Sequence, residues 1–232
     1  MRPVIIALLI GSWLGFAHAD DAAYASALAR HVGPEGVDYA GWKASEQDRA
    51  ALVAFTEEVA GAEIKSLRKD ERLAFLINAY NAWMMRIVLD NYPIRSVKDI
   101  APNFGVFDQK RIKVARKTLS LNELEKEWLL KAFQEPRIHF AVNCASRSCP
   151  PLRAKLWTAT GLDAQLDAAA KAYLTSNPLG YDPASGKISQ IFEWYASDFG
   201  GPDGVRAFIK TYRKPPTKLA YLPYDWTLNA TK

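Results

Sequence analysis

Cysteine is scarce in this chain. Only Cys144 and Cys149 occur in 232 residues, and their CxxxxC spacing, outside any βαβ pattern, is not that of a thioredoxin-type redox pair. Histidine is nearly as rare, three in all, at 18, 31 and 139. Two cysteines and one nearby histidine fall a ligand short of a closed zinc site, so no metal or cofactor is expected. No charge of one sign dominates: 30 Lys and Arg face 25 Asp and Glu, a mild +5 spread along the chain, which argues against nucleic-acid binding. The densest basic stretch, residues 110–117, alternates with Ile112, Val114 and Ala115 and reads as the solvated face of a strand. Past residue 19 no run approaches the roughly 18 uninterrupted apolar residues of a membrane span. Repeats, low-complexity tracts and linkers are also lacking, so one domain is the default.

What is present begins with a leader. Arg2, the apolar run 4–16 and Ala17-His18-Ala19 form the pattern of a cleavable signal peptide over residues 1–19, and no cysteine follows it to take a lipid. This predicts an exported bacterial protein, periplasmic or secreted, with no stable membrane span after cleavage. The whole chain carries seven tryptophans, ten tyrosines and ten phenylalanines, all but Trp13 and Phe16 within residues 20–232, ample for one sizeable core.

Helical periodicity over 20–32, 45–60 and, most strongly, 70–91 fills the first half, the last of these halted by Pro93. His31 falls at the end of the first helix, where the dipole favours a cation. A short hairpin is expected over 111–114 and 117–119, followed by the capping box Ser120-Leu121-Asn122-Glu123 and a helix to about residue 133. Further helices are expected over 162–174 and 205–212, with a brief strand over 187–190. The order fits a helix-rich α+β single domain around a small, mostly antiparallel sheet.

The stretch with most chemistry is 137–152, RIHFAVNCASRSCPPL. Ile138, Phe140 and Val142 alternate with His139, Ala141 and Asn143, predicting a half-buried strand that delivers Cys144 to a loop. Two readings follow. In one, Cys144 and Cys149 form a disulfide that shapes the loop of a non-enzymatic binding or scaffold domain. In the other, Cys144 (or Cys149) is a nucleophile with His139 as base in acyl transfer or amide hydrolysis, Arg147 being the only other local group able to favour a thiolate. Along an extended chain, five residues span about 16 Å and place positions 139 and 144 on opposite faces, so this second reading needs the loop to double back.

Asn78 and Asn81, three apart on the central helix, are neighbours on one face and either hold a backbone segment or line a pocket. Asp198 reads as a turn acid or a catalytic one; Asp225 as a tie for the carboxyl-terminal tail; Asp38 as a fixture of the loop before Tyr39.

Several stretches taken together resemble a known family, the domain of unknown function 547. They are Val37-Asp38-Tyr39, Asn78-Ala79-Tyr80-Asn81, Leu119-Ser120-Leu121, Pro136 through Phe140, Asn143-Cys144 with Ser148-Cys149-Pro150-Pro151, Trp194-Tyr195 with Asp198-Phe199, and Tyr224-Asp225-Trp226 with Leu228-Asn229. The likeness runs over residues 36–229 and implies a compact domain, often exported, with no named activity. Members often carry His just after the acid of the helix that follows the hairpin; here that place is Lys126, after Glu125. The combined expectation is a pocket where the Asn78/Asn81 helix meets the His139–Cys149 loop, built also from Tyr80, Asn143, Arg147 and Asp198. It would serve an unidentified small molecule or envelope protein.

Overall fold

The structure, a computed structural model, describes residues 19–231; the expected leader, but for Ala19, lies outside them. Helices form where apolar period and caps coincide. Ser45 Oγ accepts the Asp48 N–H at 3.2 Å and opens Glu46–Gly61. The capping box forms reciprocally, with the Glu123 N–H on Ser120 Oγ at 3.0 Å and the Ser120 N–H on the Glu123 carboxylate at 2.8 Å. Ala19–His31 packs on Glu46–Gly61, which packs on the central helix Lys69–Asn91. Ile77, Ala79, Tyr80, Ala82, Met84 and Met85 of that helix are at most 1% exposed, so it is covered on several sides. Each large apolar side chain so buried contributes about 1.5–3 kcal/mol.

Strands are minor. Val32–Gly33 pairs with Gly36–Val37, Ile112–Val114 with Lys117–Leu119, and Tyr181–Asp182 with Lys187–Ile188, all antiparallel. The fold is helix-rich α+β, and in place of one small sheet the described residues form three separate two-stranded ribbons. The helix after the capping box is not uniform: its middle, Leu124–Leu130, widens into a π-helix before Lys131–Phe133, an irregularity that often accompanies functional sites.

The strand expected over 137–143 is a correction. Pro136–Phe140 is a 3-10 helix. Pro136 presets its first turn, the Glu135 carboxylate accepts the Arg137 N–H at 3.0 Å, and the Ala141 and Val142 N–H groups both return to Ile138 O, at 2.8 and 3.1 Å. Residues 138–143 are all buried, so the alternation of residue types marks no alternation of faces.

The carboxyl-terminal tail is laid over this segment by backbone bonds. Leu228 N–H reaches Arg95 O (2.7 Å), Asn229 N–H reaches Ala145 O (3.1 Å) and Thr231 N–H reaches Val37 O (3.0 Å). Gly36 permits the approach: a Cβ there would lie 2.2 Å from Asn229 O. The carboxylate of Asp225 does not make the expected tie to the core: it accepts only from Thr227 N–H and Oγ1 at 2.9 and 2.7 Å, exposed and within the tail itself. It is the backbone of Asp225 that joins the loop, its N–H on Ser148 Oγ at 2.9 Å and its carbonyl taking the Ser148 N–H at 3.2 Å. Asp38 caps its own helix through Gly41 N–H at 2.8 Å.

His31 is structural. It stacks on Trp42 and meets the buried Asp48 at 2.8 Å, where Arg30 also pairs with the same carboxylate. The hydrogen bond from Arg30, working against burial and joined by that from His31, holds the Asp48 carboxyl well below the usual range. A carboxyl depressed on folding adds stability that is complete above its unfolded value, about 3.9, and is lost as pH falls through the folded one. Asp48→Asn is therefore expected to cost about 2–3 kcal/mol at pH 7 and to flatten the decline in stability below pH 4. Urea titrations of both proteins between pH 2.5 and 7 read this directly, and parallel curves would contradict it.

Candidate functional site

The central helix carries two amide clamps. Asn81 Nδ2 donates to Ala141 O at 2.9 Å while its Oδ1 accepts the Asn143 N–H at 2.8 Å. Asn78 does the same for Trp157, at 2.8 Å to its carbonyl and 2.9 Å from its N–H. Only Asn81 therefore reaches the His139–Cys149 segment. Both amides are spent on backbone and neither lines the cavity described below, whereas Tyr80 between them does.

Asn143, fixed by Asn81, stitches the loop with its own side chain, accepting the Ala145 N–H at 2.9 Å and donating to Pro150 O at 2.8 Å. Ala145 is held at φ 59°, a left-handed conformation costing a non-glycine residue about 1–3 kcal/mol. It directly follows Cys144. Strain of this kind persists only where the surroundings over-determine it, which the Asn143 stitch and the tail bond from Asn229 accomplish.

Both cysteines are free thiols. The bridge expected from their spacing is not formed; Cys149 Sγ instead accepts the Cys144 N–H at 2.9 Å. Cys149 is buried, and Cys144 is partly exposed with its sulfur 3.0 Å from Ser146 Oγ and 3.3 Å from Tyr224 Oη. Burial opposes ionisation of Cys144, yet the hydrogen bonds from Cys149, Ser146 and Tyr224 outweigh it and hold this thiol below its ordinary value. Burial and the adjacent Cys144 sulfur push the Cys149 thiol up. The two sulfurs are thus differentiated, and Cys144 is the one favoured as thiolate.

His139, 3% exposed, packs its ring against Tyr195 at 4.2 Å and Phe199 at 5.7 Å between centroids. Its Nε2 meets Asp198 Oδ2 at 2.8 Å from the solvent side. A carboxylate only accepts, so the neutral imidazole carries its proton on Nε2 and keeps its lone pair on Nδ1. The hydrogen bond from His139 lowers the Asp198 carboxyl, consistent with an anion that orients the ring.

Cys144, Cys149 and His139 line one cavity of about 360 Å³. They share it despite the opposite faces an extended chain would give positions 139 and 144, because residues 136–140 form a 3-10 turn and the chain kinks at Ala145. Arg147 takes no part: its Nη2 donates to Ala230 O at 2.9 Å, and it lines a separate hollow. Most of the cavity's other lining escaped sequence reasoning, Tyr224, Trp226, Trp194 and Glu125 among it. Tyr224 and Trp226 arrive on the tail and Trp194 from a distant short helix, which no local pattern announces. Glu125 had a readable signal, lying four residues from both Leu121 and Leu129, which are fully buried, and thus on the apolar stripe of its helix.

Residues 64–174 match the family model described as "Protein of unknown function, DUF547". That stretch holds Asn78, Asn81, Glu125, His139 and both cysteines; Asp198, Tyr224 and Trp226 lie beyond it. No curated protein and no solved structure matches the chain.

Proposed function

The chain belongs to the DUF547 family, which brings no activity with it, and from its own geometry we propose that it is a thiol-dependent acyl transferase or hydrolase with Cys144 as nucleophile. The observation that carries this reading is a free, partly exposed thiol, held below its ordinary ionisation range, opening on the same cavity as an imidazole oriented by a carboxylate. That is the nucleophile–base–orienter logic of cysteine acyl transfer.

In the proposed reaction His139 Nδ1 takes the Cys144 proton and the thiolate attacks the substrate's acyl carbonyl. The bond to the leaving group breaks as His139 returns the proton to it, leaving a thioester. Water or another nucleophile, deprotonated by His139, then attacks the thioester carbonyl and the thiolate departs. Ser146 and Tyr224 serve the resting thiolate, and Asp198 balances the imidazolium formed in each half.

Alkylation tests the reading. Iodoacetamide is expected to modify one sulfur rapidly at pH 7, with a midpoint below the roughly 8.5 of a free cysteine, and Cys144→Ser is expected to abolish that phase. Two unreactive sulfurs in a protein two hydrogens lighter than the reduced chain would favour the stapled binding domain instead.

A further inference from the structure

Glu125 is 7% exposed and lines the same cavity as Cys144. Among the described residues its one hydrogen bond comes from a neutral phenol, Tyr195 Oη at 3.1 Å, and it makes no ion pair with a lysine, arginine or histidine. Among the described residues no lysine or arginine lines the cavity either, and His139, the one histidine there, is committed to Asp198. A carboxylate withdrawn from water without a counter-charge is costly. Such a group inside a hollow calls for a cation from outside.

The other walls repeat that preference. Phe104, Trp194, Tyr195, Tyr224 and Trp226 present rings to the same space, and an aromatic face attracts positive charge through its quadrupole. This wall already engages one ammonium on its outer side: Lys98 Nζ lies 4.9 Å from the Phe104 centroid and 5.3 Å from that of Trp226, though Lys98 does not line the cavity. Trp194 is 46% exposed and Phe104 37%, so rings stand at the mouth where a ligand enters.

We infer that the cavity takes a ligand bearing an alkylammonium group, with Glu125 as its counter-ion and the surrounding rings as its cage. This deepens the acyl-transfer reading by giving the substrate class as an amine, and it rests on that reading only in calling the ligand a substrate.

Butylammonium and its neutral counterpart butan-1-ol, titrated at constant ionic strength and followed by tryptophan fluorescence and calorimetry, separate the outcomes. Butylammonium is expected to bind saturably and at least about tenfold more tightly than butan-1-ol. Glu125→Gln, which keeps an acceptor for Tyr195, is expected to erase that preference, and Trp194→Ala, a change at the exposed mouth, to weaken ammonium binding severalfold without touching the interior. Melting curves establish that each variant is folded. Equal binding of the two probes, binding of neither, or a preference unmoved in folded Glu125→Gln would overturn the inference. Cys144→Ser is expected to retain the preference, so a cation site with an unreactive Cys144 refutes the thiol chemistry alone. A reactive Cys144 with no cation preference refutes the ammonium site alone.

Discussion

His139→Ala is expected to slow acylation of Cys144 by p-nitrophenyl acetate about 10²–10⁴-fold, the span ordinarily contributed by a positioned general base. Pre-steady-state release of p-nitrophenol measures it, with Cys144→Ser as the background. The imidazole is buried between Tyr195 and Phe199, so its deletion also leaves a void that lowers stability; His139→Gln fills most of that space and keeps a donor for Asp198. Both variants are expected to lose the burst while remaining folded. Asp198→Asn is expected to lose less, in the same direction, because Asp198 reaches the ring from the solvent side, where water can replace part of its orienting bond. A folded His139→Gln protein with an unchanged burst rate would falsify the role given to the imidazole.

That Cys144 and His139 open on one cavity was within reach of the sequence because both lie within one short stretch, as was the difficulty that an extended chain keeps them apart. What periodicity could not show is that 138–143 is buried on every side. Alternating Ile138, Phe140 and Val142 carries the signature of a strand only when the residues between them face water; here His139, Ala141 and Asn143 are interior too, held by Asn81, the 3-10 turn and the tail. The caps at Ser45 and Ser120 and the central helix were readable for the opposite reason, since each is settled within a turn or two of its own sequence. The aromatic wall was not readable at all. Trp194, Tyr224 and Trp226 mean little until the tail bonds at Arg95, Ala145 and Val37 bring them to the loop.

Asn78 and Asn81 show how identical local signals acquire different weight. Each clamps a backbone N–H and a backbone carbonyl, but Asn81 is 5% exposed and holds the segment that carries Cys144, while Asn78 is half-buried and holds Trp157. In Asn81→Ala the Asn143 N–H and Ala141 carbonyl lose their partners inside the core. An unsatisfied buried group costs about 1–3 kcal/mol, so a loss of about 2–6 kcal/mol is expected in urea unfolding, a large share of a domain's typical 5–15. Asn78→Ala is expected to cost less, since water can reach its site. Asn81→Asp restores the acceptor for Asn143 N–H but sets a carboxylate against the Ala141 carbonyl, and is expected to recover little. The functional readout should follow: once Asn143 is released, the stitch that keeps Ala145 left-handed loosens, and Cys144 should lose its rapid alkylation at pH 7 in the fraction that remains folded. A stability loss below about 1 kcal/mol, or unchanged alkylation in folded Asn81→Ala, would mean that the loop owes its shape to the tail bonds rather than to the helix beneath it.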